Sequence, residues 1–89
     1  MPVISMFYGI IIMMYFKDRK KHKLPHIHVK YQENEAVINL KDSKVLEGKI
    51  PSNKKKLLEA WIELHRDELL ANWELAVNGQ QVFQIEPLR

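Results

Sequence analysis

The sequence predicts an α+β fold: an antiparallel meander of about four strands followed by one long kinked helix, or two short helices, packed on the sheet. Three observations predict it. Between Tyr8 and Ile50 the apolar residues come in short runs or strict alternation, each run ending in turn-forming residues. From Leu58 to Ala76 they recur in steps of three and four, the spacing of one helix face. Pro51 and the pair Asn78-Gly79 bracket that second region with a helix start and a helix stop.

The stretch Tyr8 to Phe16, YGIIIMMYF, is short, continuously apolar and rich in β-branched and aromatic residues. This reads as a strand covered on both faces and central in its sheet. Lys17 to Leu24 is cationic and breaks before Pro25. Proline lacks an N–H and pushes its predecessor toward extended geometry, so a loop leads into the next strand. From His26 to Tyr31 alternation puts Ile27, Val29 and Tyr31 on one face and His26, His28 and Lys30 on the other. Gln32 to Asn34 suits a tight turn, and Ala36, Ile38 and Leu40 alternate with Val37 and Asn39 to give a hairpin partner. Asp42 and Ser43 favour a further turn before a fourth strand, Val45 to Ile50, in which Gly48 marks a bulge.

Ser52 or Asn53 is placed to cap the helix that follows. Its apolar stripe is Leu58, Ile62, His65, Leu69, Trp73 and Ala76, widened by Leu57, Trp61 and Leu70. A straight helix from Asn53 to Asn78 would span about 39 Å, too long for so small a domain, so a kink or break is expected near Arg66 and Asp67. Val82 to Ile85 adds an edge strand. Trp61 and Trp73 fall in the apolar stripe and read as core rather than as base-stacking platforms.

Eighty-nine residues with 46% hydrophobic and 28% charged content suit a single domain, 1–89, with one core. The absence of cysteine excludes a disulfide framework and a thiolate metal site, and a reducing cytoplasm is the expected location. The apolar run Met6 to Phe16 is shorter than the roughly 20 residues needed to cross a bilayer, and no membrane association is expected. The net charge of +3 is modest but polarised: Lys17, Arg19, Lys20, Lys21 and Lys23 form one cluster and Lys54 to Lys56 another.

Several stretches resemble the small bacterial family catalogued as domain of unknown function 4160: PVISMFYGIIIMMYF, HKLPHIHVKYQENEAVI, EGKIP and ELHRDELLANWELAVNGQ. The most specific element is a histidine-proline signature, which falls here on His22, Pro25, His26, Ile27 and His28. A helical signature falls on His65, Arg66, Glu68, Leu69 and Leu70, followed by Asn72, Trp73 and Glu74. The family commonly has an acid before the first histidine and a second proline after it, where this chain has Lys21 and Leu24. The resemblance implies a fold and a genomic habit rather than an activity. Members are often encoded beside another small domain, an arrangement similar to toxin-antitoxin pairs.

His26 and His28 emerge two residues apart on one strand face, close enough for both rings to address one ligand. His22 from the preceding loop and His65 from the helix would complete a cluster if the helix covers that same face. If it packs instead on Ile27, Val29 and Tyr31, His65 lies opposite the pair. One reading is proton transfer on RNA, with His26, His28 and His65 as candidate acid and base groups. His22, Lys20, Lys21, Lys30 and Arg66 would then bind the substrate and stabilise phosphorane-like charge. That chemistry needs no metal or cofactor. A second reading is a metal site completed by Asp18, Glu33 or Glu35, which the spacing permits without being diagnostic. The plain structural alternative makes His26 and His28 solvated strand residues and His65 a core histidine bonded to a backbone carbonyl.

Two functions of different class therefore stand. One is a toxin-like protein that acts on or binds RNA through paired histidines and a basic loop. The other is a non-catalytic interaction module that binds a small partner protein encoded nearby, with homo-oligomerisation also open.

Overall fold

Strand β1 (Val3–Phe7) opens the chain and turns at Tyr8 and Gly9 into β2 (Ile10–Met13). The computed structural model describes residues 3–15 and 24–89. The basic stretch with Lys20, Lys21 and His22 lies outside the described residues, as does Asp18. The sheet continues through β3 (His26–Tyr31), β4 (Asn34–Asn39) and β5 (Val45–Gly48), and the chain then forms one helix, α1 (Ser52–Val77). Every neighbour pairs antiparallel in the order β1-β2-β3-β4-β5, so the sheet is a five-stranded meander rather than a four-stranded one.

The added strand comes from the apolar opening, not from the C-terminus. The run Tyr8 to Phe16 is not one strand, because Tyr8 and Gly9 both have positive φ, 50° and 80°. Two successive positive φ values give the twist that joins adjacent antiparallel strands, and Phe7 pairs with Ile10 across that turn. A tyrosine is not a usual residue at such a position, which hides the hairpin inside an unbroken apolar run. The expected edge strand Val82 to Ile85 is not formed. Instead of a ladder, Ile85 N–H donates to the Ile4 carbonyl of β1 at 2.9 Å and the Gln84 side chain to the Val3 carbonyl at 2.6 Å.

Helix α1 packs on the face that carries Ile10, Ile12, Ile27, Val29 and Ile38. Its Leu58, Trp61, Ile62, Leu69, Trp73 and Ala76 bury there with them. The expected cap by Ser52 or Asn53 is absent: Ser52 is already helical, Pro51 is the boundary residue, and no side chain caps the first turn. The Pro51 carbonyl accepts instead from Lys54 N–H and Lys55 N–H. The helix breaks stride at His65 (φ −120°, ψ 19°), next to the expected position, and the molecule's longest dimension is 33 Å. At the other end Gly79 adopts φ 73°, its N–H bonds the Ala76 carbonyl and Gln80 N–H bonds the Leu75 carbonyl. That is the paired closure expected of an Asn-Gly stop. No described helix is long and apolar enough to cross a membrane.

Candidate functional site

The sheet separates two environments. Register places Met13, His28, Val37 and Glu47 opposite one another in a row across β2 to β5, on the face turned away from α1. A neighbouring row holds Met6, Ile11, Lys30 and Glu35. Glu47 reaches this face only because β5 bulges. Val45 pairs with Ile38 on the core side, Leu46 is the extra residue, and Glu47 pairs with Val37 on the opposite side. Strict alternation would have put Val45 and Glu47 on one face. The bulge is followed by Gly48 at φ 79°, where an added Cβ would run into the Glu35 carbonyl.

A hollow of ≈ 350 Å³ opens on this face. Met13 and Val37 supply apolar surface and Tyr15, His28, Glu35 and Glu47 polar groups, while Val29 and Ala36, whose side chains belong to the core on the other face, and Gly48 complete the lining. The rings of Tyr15 and His28 lie 4.1 Å apart at 32°, a tilted stack that forms one wall. Tyr15, His26, His28 and Glu47 each have further partners within the chain. Among the described residues, Glu35 and Glu47 bring carboxylates to this lining.

The structure brings His26 and His28 together, with ring centroids 5.3 Å apart, but gives them different surroundings. His26 is 1% exposed and its ring packs on Trp73 at 4.8 Å. Its Nδ1 lies 2.7 Å from the Leu24 carbonyl. A carbonyl can only accept, so that nitrogen carries the proton and donates it. His28 is half-buried and faces the hollow. His65 does not join them. It sits on the helix, across the sheet from His28, with its Nδ1 2.7 Å from Glu68 Oε1 and its ring 5.7 Å from that of Trp61. The core histidine bonded to a backbone carbonyl is thus His26, not His65.

Arg66 stands at the helix kink. Its Nε donates to the Leu40 carbonyl at 3.0 Å and its Nη1 to Glu63 Oε2 at 2.7 Å. Lys30 is exposed on the same face as His28, opposite Ile11 and Glu35. Glu33 lies exposed in the β3–β4 turn. Among the described residues no three His, Asp or Glu side chains are grouped closely enough to hold a metal ion.

The sequence reading missed Tyr15 and Glu47. Tyr15 has no periodic signal, being just past β2, and Glu47 depends on the bulge at Leu46. Both fall inside the span that relates this chain to others. The model of a family described as Domain of unknown function (DUF4160) matches residues 9–74. The chain belongs to that family. The matched span of this DUF4160 domain takes in β2 to β5, His26, His28, Glu35, Glu47 and the helix through Glu74. It leaves out β1 and the C-terminal tail. No curated protein and no solved structure matches the chain.

Proposed function

We propose that this DUF4160 domain is a non-catalytic binding module that holds a small partner protein on the sheet face opposite the helix. The observation that carries this reading is the burial of His26. Acid-base cleavage of a phosphodiester by a histidine pair needs both rings at the reacting atoms, within hydrogen-bond reach. A ring that is 1% exposed and donates its Nδ1 proton to the backbone supports its neighbour rather than touching a substrate.

The lining of the hollow adds to this. Among the described residues the lining offers two carboxylates and the apolar side chains of Met13 and Val37, a mixture that suits a protein surface better than a phosphate. Both sheet edges favour docking on the face. The tail bonds the outer side of β1 through Ile85 and Gln84, and β5 is four residues long and bulged, a form that resists strand addition.

The test is co-expression with the product of the adjacent reading frame, followed by size-exclusion chromatography with light scattering. A stoichiometric complex that survives His26→Gln, and is weakened by Glu35→Lys or Val37→Asp, is the expected result. The basic stretch that joins Tyr15 to Leu24 would serve an RNA-directed protein, and the same preparation decides that alternative. RNA cleavage abolished by His26→Ala with His28→Ala, in a protein that stays folded, would replace the present reading.

A further inference from the structure

We infer that the groove between β1 and α1, filled by the chain's own tail, is a peptide-recognition site that also takes the same tail from a second copy of the chain. The contact is separate from the hollow beside His28 and does not depend on the protein-binding reading above.

The groove holds the tail as a peptide is held. Asn72 Oδ1 accepts from Phe83 N–H at 3.1 Å and its Nδ2 donates to the Phe83 carbonyl at 2.8 Å. Ile85 N–H donates to the Ile4 carbonyl at 2.9 Å, and Trp61 Nε1 donates to the Glu86 carbonyl at 2.8 Å. All four bonds read main-chain groups of the tail, so they specify an extended backbone rather than a sequence. Sequence is read at one point: Ile85 is 5% exposed and part of the core, whereas Phe83, two residues earlier, is 71% exposed. Backbone bonds give such a groove its affinity, and the isoleucine pocket gives it selectivity.

The tail is joined to α1 by Asn78, Gly79 and Gln80, all exposed, and it folds back because Gly79 adopts φ 73°. A change of angle at that turn releases the tail and leaves the pairing of β1 through β5 in place. A second copy of the chain presents the same backbone and the same isoleucine to the same three groups, Ile4, Trp61 and Asn72. Reciprocal exchange therefore remakes every bond in both copies without any new interface, which is the least costly way for a chain to pair with itself. What opposes it is the high local concentration of a tethered tail, about millimolar for a short flexible tether.

The experiment uses the full chain and an acetylated, amidated peptide of residues 80–88. Ile85→Asp in the full chain removes the anchor of the tethered tail and leaves the groove unaltered. The expected result in ¹⁵N–¹H spectra is saturable movement of the Trp61 indole and Asn72 side-chain N–H signals of the Ile85→Asp chain. The wild-type chain should bind the peptide about tenfold more weakly, because its own tail competes. A peptide that itself carries Ile85→Asp should bind neither chain. Absence of binding to a folded Ile85→Asp chain, or equal binding of the two peptides, overturns the recognition site.

Gly79→Ala tests the second copy as occupant, and it decides the matter alone if the Ile85→Asp chain does not fold. Alanine disfavours the turn while both groove and anchor stay intact. Size-exclusion chromatography with light scattering should find this variant as a dimer, returned to monomer by wild-type peptide in excess. A folded Gly79→Ala chain that remains monomeric as its concentration is raised, or a dimer that excess peptide leaves unchanged, overturns the exchange.

Discussion

The imidazole of His26 packs on the indole of Trp73 with ring centroids 4.8 Å apart, tying the first residue of β3 to the second half of the helix. Both side chains are buried, and His26 adds a hydrogen bond to the Leu24 carbonyl. His26→Ala therefore opens a cavity beside Trp73 and leaves that carbonyl without its partner, at a cost of about 2–4 kcal/mol. Urea unfolding measures this. A cost under about 0.5 kcal/mol, typical of a surface substitution, would show that the ring contributes little to the fold. In a double-mutant cycle with Trp73→Leu the coupling should be about 0.5–1.5 kcal/mol, the range of ring pairs in contact.

Gly48→Ala should cost more than Gly9→Ala, although the two glycines have nearly the same φ, 79° and 80°. Each substitution meets the strain of a left-handed position, about 1 kcal/mol. At Gly9 the new methyl would lie 3.2 Å from Tyr31 Cε1, the edge of a side chain able to shift. At Gly48 it meets the backbone carbonyl of Glu35, which is held in the β4–β5 pairing by Lys49 N–H. The expected loss at Gly48 is about 3 kcal/mol or more. Equal midpoints for the two variants in urea would show that the carbonyl yields as easily as the ring.

The sheet was legible where alternation is strict and hidden where a local irregularity overrides it. His26 to Tyr31 and Asn34 to Asn39 pair as their apolar pattern indicates, with Ile27 opposite Ile38 and Val29 opposite Ala36. The β1–β2 hairpin escaped notice because its turn is Tyr8-Gly9 inside an apolar run, without the asparagine or aspartate that marks most such turns. The closeness of His26 and His28 follows from their spacing of two. Their unequal burial does not, because it depends on Trp73 arriving from the helix. Glu47 illustrates the same limit: Gly48 announces a bulge in this strand, but not that Leu46 is the extra residue, which moves Glu47 from the core side to the open face.

Arg66 should be sensitive to lysine as well as to alanine. Its Nε bonds the Leu40 carbonyl while Nη1 bonds Glu63, two directions served at once by a planar fork. Leu40 N–H in turn bonds the Pro25 carbonyl, so Arg66 joins the kinked helix to the strand that carries His26. Arg66→Ala is expected to cost about 1–2 kcal/mol, mainly through the unpaired carbonyl. Arg66→Lys should recover less than half of that, since one ammonium on a flexible stem does not replace the fork. Full recovery by lysine in thermal or urea unfolding would show that charge, not geometry, matters here.

Asn72 grips the backbone of Phe83 from both sides. Its Nδ2 donates to the Phe83 carbonyl at 2.8 Å and its Oδ1 accepts from Phe83 N–H at 3.1 Å, while the side chain is buried. An amide used in this way substitutes for a strand neighbour, and it anchors a tail that has no regular structure of its own. The tail has three further attachments: Trp61 Nε1 donates to the Glu86 carbonyl, Ile85 N–H to the Ile4 carbonyl, and the Gln84 side chain to the Val3 carbonyl. Asn72→Ala removes two bonds at one point and exposes two backbone groups, so a loss of about 2–3 kcal/mol is expected. The loss should be uneven. Amide exchange at Ile85 should accelerate more than at Val29 or Ile38, because the tail can open from β1 without unpairing β3 from β4. Equal acceleration at all three amides would mean that tail and sheet unfold as one unit.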